Sequence, residues 1–421
     1  MRYSFIGTAP QSSPMCRARG LALDPVTSFS ADPVQPTINA ADAGIDLAAL
    51  DTLRRRIQVE VDAGRMPAAQ MAMAVNQELA VFESFGSATA QTEFNIFSCT
   101  KALIAGVVWQ LIAEGRFAPD TRAIELIPAF GTLGKTPDWM AQVTLGQLLT
   151  HTSGFPAAPL GPPTWDTRAG RQETFAKWHA AFEPGTYFEY HPTAAHWVVA
   201  EMIEVVEGID YREVVRQRII EPLGLVGISL GTPAEEQGEI AVMQMVGELP
   251  SPAEIEAVFG TADFDIGEVT PAILLGFNHP EIRAAGIPAG GGVSTAAALA
   301  MYYQSLLHNP GGLWDPAVLA DGTAKIMCTL PSPDTGVASN RSLGLVIAGD
   351  DGLSMMRGMG ATVSANAFGH NGAGGQIAWA DPATGLSFAF VTSGLDLNFL
   401  REARRTASFG SKAAVCVAPK S

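Results

Sequence analysis

Residues 95–106 read N-I-F-S-C-T-K-A-L-I-A-G and place a serine three residues before a lysine at the head of an apolar run. Apolar residues then recur at intervals of three and four as far as Ile112, and Glu114-Gly115 follows as an end signal. The pattern predicts an amphipathic helix with Ser98 in its first turn. Three residues of α-helix bring Ser98 and Lys101 onto one face. The unpaired N–H groups of that turn favour negative charge at Ser98.

Two readings of this pair follow from the residues alone. Ser98 is a nucleophile with Lys101 as its base, or Ser98 caps the helix while Lys101 points to solvent. Lys101 is the only lysine of the chain that lies three residues after a serine, which favours the catalytic reading.

A rival nucleophile is Ser229 in G-I-S-L-G, residues 227–231, which matches the G-x-S-x-G elbow of α/β-hydrolases. That elbow needs a buried strand before the serine and a helix directly after it. Only a weak, short strand pattern precedes Ser229, and G-T-P-A-E-E follows from Gly231. The context therefore favours a glycine-rich loop outside the chemistry.

Composition limits the class of ligand. The chain has 421 residues, with 26 Lys and Arg against 42 Asp and Glu, so its net charge is −16. This balance argues against a nucleic acid or an anionic membrane as partner and favours a small molecule. Cys16, Cys99, Cys328 and Cys416 lack metal-ligand spacing, and we expect free thiols, no metal and no organic cofactor. We expect a soluble, cytoplasmic protein, because no apolar run has the length of a membrane span.

The order of the patterns indicates how the chain is divided. Strand patterns occur at residues 69–75 and 78–85, joined by Asn76-Gln77, and return only after residue 340. Helical and loop patterns fill the interval between. We predict an N-terminal extension at 1–40, an α/β domain from 41–115 and 285–421, and a helical domain at 116–284. The fold class is α+β, with an antiparallel sheet built from both chain ends, flanked by helices and interrupted by the helical insertion.

Several stretches occur together in a familiar order. They are S-C-T-K at Ser98, L-L-T-H-T-S-G-F at Leu148, P-G-T-Y-F-E-Y at Pro184, the run F-N-H-P-E-I-R-A-A-G-I-P-A-G-G-G-V-S-T-A from Phe277, and F-G-H-N-G-A-G-G at Phe368. With them the chain resembles the serine β-lactamase and penicillin-binding-protein superfamily, and within it the family VIII carboxylesterases. The resemblance covers about residues 45–394 and implies a β-lactamase/transpeptidase-like fold.

The resemblance also implies roles for individual residues. Ser98 is expected to be acylated, Lys101 to accept its proton and Tyr190 to pass a proton to the leaving group. The backbone N–H groups of Ser98 and Ala373 are the expected oxyanion hole. If Lys101 stays cationic, a tyrosinate at Tyr190 would be the base instead.

Two departures from the family pattern concern substrate binding. The second motif is usually Tyr-x-Asn but reads Tyr190-His191-Pro192 here, so the asparagine is missing and His191 is a candidate pocket residue. His370-Asn371-Gly372 stands where lactamases have Lys-Thr-Gly, and we expect these three residues to bind substrate. Without that lysine, anionic β-lactams should be poor substrates compared with neutral esters.

The sequence thus predicts a serine hydrolase that cleaves small carboxylic esters through an acyl-enzyme on Ser98. An acyltransferase or an amide or β-lactam hydrolase on the same site remains an alternative. A non-catalytic binding module is a further one, although it would be expected to have lost Ser98, Lys101 or Tyr190. Sequence leaves the oligomeric state open.

Overall fold

The computed structural model describes residues 34–262 and 269–420. The predicted N-terminal extension, residues 1–40, lies outside these ranges except for residues 34–40, and Cys16 lies outside them as well. The other three cysteines are free and buried. No helix within the described ranges is both long and apolar enough to cross a membrane.

The strands and helices of the described residues are numbered in chain order. The strands are β1 (Ala68–Val75), β2 (Glu78–Gly86), β3 (Phe94–Asn95), β4 (Ile228–Leu230), β5 (Gln244–Val246), β6 (Gly292–Ser294), β7 (Val346–Ile347), β8 (Phe368–Gly369), β9 (Ile377–Asp381), β10 (Leu386–Thr392) and β11 (Gly394–Asp396). The helices are α1 (Leu47–Asp62), α2 (Thr100–Ala113), α3 (Ala123–Leu126), α4 (Pro137–Met140), α5 (Leu145–Leu149), α6 (Arg168–Lys177), α7 (Ala194–Glu207), α8 (Tyr211–Val215), α9 (Pro252–Phe259), α10 (Pro271–Leu275), α11 (Pro280–Ala285), α12 (Ala296–His308), α13 (Pro316–Thr323) and α14 (Phe399–Ala414).

The central sheet has six strands in the order β2-β1-β10-β9-β8-β7, and all its neighbours are antiparallel. Two strands come from the start of the described chain and four from its end, which confirms the predicted sheet. The β1–β2 hairpin is also confirmed. Asn76 and Gln77 have φ of 52° and 68°, as a two-residue turn with both central residues left-handed requires.

Both faces of this sheet are covered, and β1 is buried along its whole length. Met71 and Met73 belong to the core cluster that contains the buried face of α1 and Phe409 of α14. Ala72 and Ala74 belong to the larger cluster that includes α12 and α2. The alternation of large and small residues along β1 therefore matches the two helical layers on either side.

Helix α2 corrects one sequence prediction. It begins at Thr100, and Ser98 lies just before it in a 3₁₀ turn, Phe97–Cys99. Every residue from Thr100 to Leu111 is buried, so the helix is not amphipathic. Its neighbours α7, α8 and α13 surround it, and a helix enclosed in this way is apolar on all sides.

Residues 116–284 contain α3 to α10, all but the last residue of α11, and the short strands β4 and β5. This agrees with a mostly helical insertion between the two parts of the sheet. The domain boundaries predicted from the sequence remain a proposal.

Candidate active site

Ser98 stands at the start of the buried helix, in a turn with an unusual backbone. Phe97 has φ of 45°, which is uncommon for a bulky residue and marks local strain. The Thr100 hydroxyl donates to the Phe97 carbonyl at 2.6 Å and accepts from the Gly292 N–H at 2.9 Å. The Phe97 ring packs edge-on against Phe277, with centroids 5.2 Å apart. These contacts fix the turn that presents the Ser98 hydroxyl.

Lys101 is fully buried, and its amino group has three partners. Nζ lies 3.1 Å from Ser98 Oγ, 2.9 Å from the Pro192 carbonyl oxygen and 3.0 Å from the Ala289 carbonyl oxygen. Burial lowers the pKa of the Lys101 ammonium, and the nearby Arg341 charge acts in the same direction, while Tyr190 opposes them. A neutral amine has two N–H donors and one lone pair. When the amine is neutral and its donors are on the two carbonyls, its lone pair faces Ser98. When it is protonated, Nζ donates to Ser98 Oγ.

Tyr190 completes a chain of hydrogen bonds. Its hydroxyl donates to Ser98 Oγ at 2.8 Å. Its ring lies against the His151 ring, with centroids 4.5 Å apart, and Lys101 Nζ lies 5.0 Å from its centroid. The resulting order, Tyr190 O–H to Ser98 Oγ–H to Lys101 Nζ, lets the serine proton pass to the lysine while the phenol stays protonated. Tyr187, the other tyrosine of the stretch P-G-T-Y-F-E-Y, is exposed and packs on Phe182.

The backbone N–H groups of Ser98 and Ala373 are candidates for an oxyanion hole. Among the described residues, neither group donates a hydrogen bond to a backbone oxygen. Gly372 sits beside them, and a Cβ at this position would lie 2.2 Å from the Ile96 carbonyl oxygen. Only glycine therefore lets the end of β8 approach the turn that carries Ser98.

His370 is buried and hydrogen bonded on both ring nitrogens. Nδ1 donates to the Asn371 carbonyl oxygen at 2.9 Å, and Nε2 accepts from Arg341 Nη1 at 3.2 Å. Burial lowers the pKa of His370 well below its usual range, and the charges of Arg341 and Lys101 act in the same direction. The ring is thus a neutral acceptor that orients Arg341.

Arg341 is the site residue that sequence reasoning missed. Its guanidinium carbon lies 5.4 Å from the Tyr190 ring centroid and 5.6 Å from that of Phe188. Its Nε has no hydrogen-bond partner among the described residues. Arg341 belongs to none of the motifs, and its only sequence signal is a lone charge in the mainly apolar stretch A-S-N-R-S-L-G-L-V-I from Ala338.

Two side chains that were predicted to bind substrate, Asn371 and His191, form hydrogen bonds within the protein instead. Asn371 donates to the Gly358 carbonyl oxygen and accepts from the Ala378 N–H. His191 accepts from Ser153 Oγ and the Phe155 N–H on Nε2, and donates from Nδ1 to the Glu189 carbonyl oxygen. In this structure, both side chains support the backbone around the site.

A buried group of histidines lies behind Tyr190. His151 accepts from the His191 N–H at 3.2 Å, and its ring stacks on that of His196 at 6.0 Å. Burial lowers the pKa of all three imidazoles, for His191 to about 4. No metal-binding group of three or more His, Cys, Asp or Glu occurs within residues 34–262 and 269–420. The histidines therefore act here as neutral packing and hydrogen-bonding groups.

Ser229 lies in β4 at the edge of the small β3-β6-β4 sheet, opposite Val293. The segment is thus a short strand rather than the predicted loop. Its hydroxyl is 2.7 Å from Thr232 Oγ1, and Gly231, with φ of 77°, follows the strand in place of a helix. The strand-to-helix elbow of the α/β-hydrolases is not formed at Ser229.

The fold agrees with comparisons to known proteins. The family model described as Beta-lactamase matches residues 53–410. The chain belongs to the beta-lactamase family. It is 28% identical over 319 residues to the esterase/beta-lactamase LipL of Mycobacterium tuberculosis, which covers 70% of this chain and 68% of that protein.

Solved structures show the same fold. A penicillin-binding protein homologue from Caulobacter crescentus has a TM-score of 0.70 and 25% identity, covering 91% of this chain and 100% of that one. A family VIII carboxylesterase has a TM-score of 0.70 and 22% identity, with the same coverage. The family resemblance and fold class predicted from the sequence are confirmed, and this beta-lactamase family member is a hydrolase of the serine β-lactamase fold.

Proposed function

We propose that this beta-lactamase family protein hydrolyses carboxylic esters through an acyl-enzyme on Ser98. The observation that carries the proposal is the unbroken hydrogen-bond chain from the Tyr190 hydroxyl through Ser98 Oγ to the buried Lys101 amine. A serine needs an adjacent base to become a nucleophile, and Lys101 with a lowered pKa meets that need.

In the acylation step, Lys101 takes the proton of Ser98 while Oγ attacks the ester carbonyl carbon. The carbonyl oxygen gains the negative charge, and the N–H groups of Ser98 and Ala373 stabilise it. Two such donors contribute several kcal/mol together, at roughly 3 kcal/mol each. The alkoxide then leaves and takes the proton of Tyr190, after which Lys101 returns its proton to the phenolate.

In the deacylation step, water attacks the acyl-enzyme carbonyl carbon and gives up its proton to the same base system. The bond between Ser98 Oγ and the acyl carbon breaks, Oγ regains a proton and the free acid departs. The three side chains are thereby returned to their starting protonation states.

The relatives give independent support. One is named as an esterase/beta-lactamase and one structural neighbour as a family VIII carboxylesterase. A second candidate function, hydrolysis of amides or β-lactams, is favoured by Arg341. A cation beside His370 could bind the carboxylate of a penicillin or cephalosporin, or of an amide that carries one.

The ligand class and compartment are part of the proposal. A net charge of −16 supports a small-molecule ester over nucleic acid or an anionic membrane as the partner. The buried free thiols of Cys99, Cys328 and Cys416 support a reducing, cytoplasmic compartment.

The test is covalent labelling with a fluorophosphonate, followed by mass spectrometry to locate the adduct. We expect modification at Ser98, together with hydrolysis of p-nitrophenyl butyrate that Ser98→Ala abolishes. An adduct at Ser229, or unchanged turnover by Ser98→Ala, would overturn the proposal.

A further inference from the structure

A large cavity lies beside the reacting atoms. Its volume is about 1120 Å³, and Tyr190, Pro192 and Ala373 line it. Small-molecule sites usually measure about 300–1,000 Å³, so this cavity is slightly larger than that range. A short acyl chain would leave most of it unfilled. This space, here called the substrate cavity, therefore fits a substrate with a bulky group.

The walls of the substrate cavity are mainly apolar. They come from α9 and the residues just before it, from α10, and from β11 through the first turn of α14. The large apolar side chains among them are Leu249, Ile255, Phe259, Leu274, Leu395 and Phe399. Such a surface binds an aryl or alkyl group, because both partners then leave water.

One carboxylate in this lining differs from the others. Asp396 accepts hydrogen bonds from Arg401 and Arg405, Asp334 is exposed to solvent, and Glu189 already has a partner. Glu402 is partly buried, and no described residue donates a hydrogen bond to its carboxylate. Its carboxylate reaches the substrate cavity and can accept hydrogen bonds from a group that enters there.

Glu402 is also close to the oxyanion turn. Its Cγ lies 3.8 Å from where a Cβ on Gly375 would stand, two residues along the chain from Ala373. It therefore faces the same cavity as the group that would hold the substrate carbonyl oxygen. The substrate cavity thus has an apolar wall, a candidate site for the substrate carbonyl oxygen and a carboxylate to which no described residue donates a hydrogen bond.

Electrostatics favour a cation at this acceptor. Burial raises the pKa of Glu402 to about 7, and the charge of Asp396 adds to this, while Arg405 opposes both. A bound cation would restore the ionised form. The net charge of −16 also attracts cations towards the protein.

We propose that the substrate cavity binds an apolar group that ends in a protonated amine, and that Glu402 accepts the hydrogen bonds of this amine. The proposal rests on the proposed function, since it assigns the substrate class of the same site. It makes Glu402 a specificity residue that takes no part in the chemical step.

The test compares two ligands of similar shape by calorimetric titration. The first is 4-phenylbutylammonium, and the second is 4-phenylbutyl methyl ether, which has no hydrogen-bond donor. At about pH 8 Glu402 is ionised, and we expect the ammonium to bind roughly tenfold or more tightly than the ether. Glu402→Gln should remove this difference, and the ether should bind both proteins alike.

Asp334→Asn is the matched control, because it removes an exposed carboxylate from the rim of the same cavity. It should keep the preference for the ammonium. Thermal unfolding of each variant verifies that the protein is folded. Equal binding of the two ligands by the native protein, or a preference that survives in Glu402→Gln, would overturn the proposal. A preference for the ammonium that is lost in Asp334→Asn but kept in Glu402→Gln would also overturn it.

The fluorophosphonate experiment separates this proposal from the proposed function. The ammonium should slow labelling of Ser98 in the native protein, because the substrate cavity adjoins the nucleophile. Ammonium binding that needs Glu402 while Ser98 resists labelling would overturn ester hydrolysis and leave the cavity assignment supported. Labelling of Ser98 without any preference for the ammonium would support ester hydrolysis and overturn the assignment of Glu402.

Discussion

The amino group of Lys101 lies 2.9 Å from the carbonyl oxygen of Pro192, at the position where the second motif of the family usually carries asparagine. The side-chain amide is therefore missing, but a backbone acceptor contacts the lysine at this position. A backbone carbonyl holds its place without a side-chain rotamer. Although Tyr-x-Asn is not conserved in form, Lys101 Nζ still has two carbonyl acceptors, from Pro192 and Ala289. Its third contact is with Ser98 Oγ.

Removal of either partner of Ser98 should cost most of the turnover. We expect Lys101→Ala and Tyr190→Phe each to lower kcat for p-nitrophenyl butyrate by about 10³-fold or more. The double variant should lose little beyond the worse single variant, because the three side chains act as one unit. Near-normal kcat in Tyr190→Phe would remove the phenol from the mechanism.

The pH dependence of kcat/KM reports on Lys101 in the free enzyme. The amine is a base only when it is neutral, so kcat/KM for a neutral ester should rise with pH through the Lys101 pKa. Burial and Arg341 lower that pKa, so the rise should be centred below the usual value of 10.5. Arg341→Gln removes one cause of the lowering and should move the rise to higher pH. A pH profile that is the same in Arg341→Gln and in the native protein would count against an effect of the Arg341 charge on the Lys101 pKa.

Ser229→Ala should leave turnover of p-nitrophenyl butyrate almost unchanged. The Ser229 hydroxyl contacts Thr232, and the strand that carries it ends at Gly231 without a helix to aim it. Ser98→Ala in the same assay provides the inactive reference. Loss of activity in a Ser229→Ala protein with native circular dichroism would contradict the assignment.

The parts of the site that the sequence predicted are those set by local spacing. Ser98 and Lys101 are three residues apart, and the turn of a helix brings them together whatever surrounds it. The β1–β2 hairpin is local in the same sense, because its two-residue turn fixes the register. Tyr190 was predicted from the resemblance, and only the tertiary fold brings it within 2.8 Å of a serine 92 positions earlier in the chain.

The parts that sequence reasoning missed depend on contacts between distant elements. Apolar spacing in α2 predicted one buried face, but three other helices enclose it and bury every side. Arg341 reaches the site from a segment without a motif, and its partner His370 is 29 residues away. The sequence around Pro192 does not indicate that its carbonyl oxygen would accept a hydrogen bond from Lys101.

Acid should destabilise the fold through the histidines behind Tyr190. Burial lowers the folded-state pKa of His151, His191 and His196, so the unfolded chain binds protons more readily. Their contribution to the free energy of unfolding is full above about pH 6.5 and is lost as pH falls, for His191 down to its folded pKa of about 4. Each imidazole contributes a slope of about 1.4 kcal/mol per pH unit within its window.

Denaturant unfolding at a series of pH values measures this slope. His196 has no hydrogen-bond partner on either nitrogen among the described residues, so His196→Leu removes a titrating group without breaking a hydrogen bond. Between about pH 6.5 and 5, the slope of the free energy of unfolding against pH should fall by the amount that one bound proton contributes, about 1.4 kcal/mol per pH unit. An unchanged slope in His196→Leu would mean that this ring does not titrate with unfolding.

Arg341 changes the expectation for anionic substrates. The absence of Lys-Thr-Gly predicted that β-lactams would be poor substrates because no fixed cation would face their carboxylate. Arg341 supplies a cation beside His370, held by a 3.2 Å hydrogen bond and stacked near Tyr190 and Phe188. We therefore expect a smaller gap between neutral esters and β-lactams than the motif alone predicts.

The substrates p-nitrophenyl butyrate and p-nitrophenyl hemisuccinate isolate this effect, because they differ in one carboxylate. A charge-assisted hydrogen bond contributes about 1.5–3 kcal/mol, so Arg341→Gln should lower kcat/KM for the hemisuccinate and for nitrocefin roughly tenfold to a hundredfold relative to the butyrate. The quantity to compare is the ratio of kcat/KM for the anionic substrate to kcat/KM for the butyrate. Loss of the guanidinium also disturbs Tyr190, but this affects both reactions and cancels in the ratio. His370→Lys adds a second cation at the same place and should shift the ratio towards the anionic substrates. If Arg341→Gln leaves the ratio unchanged, Arg341 serves to hold Tyr190 and His370 in place and does not bind the substrate carboxylate.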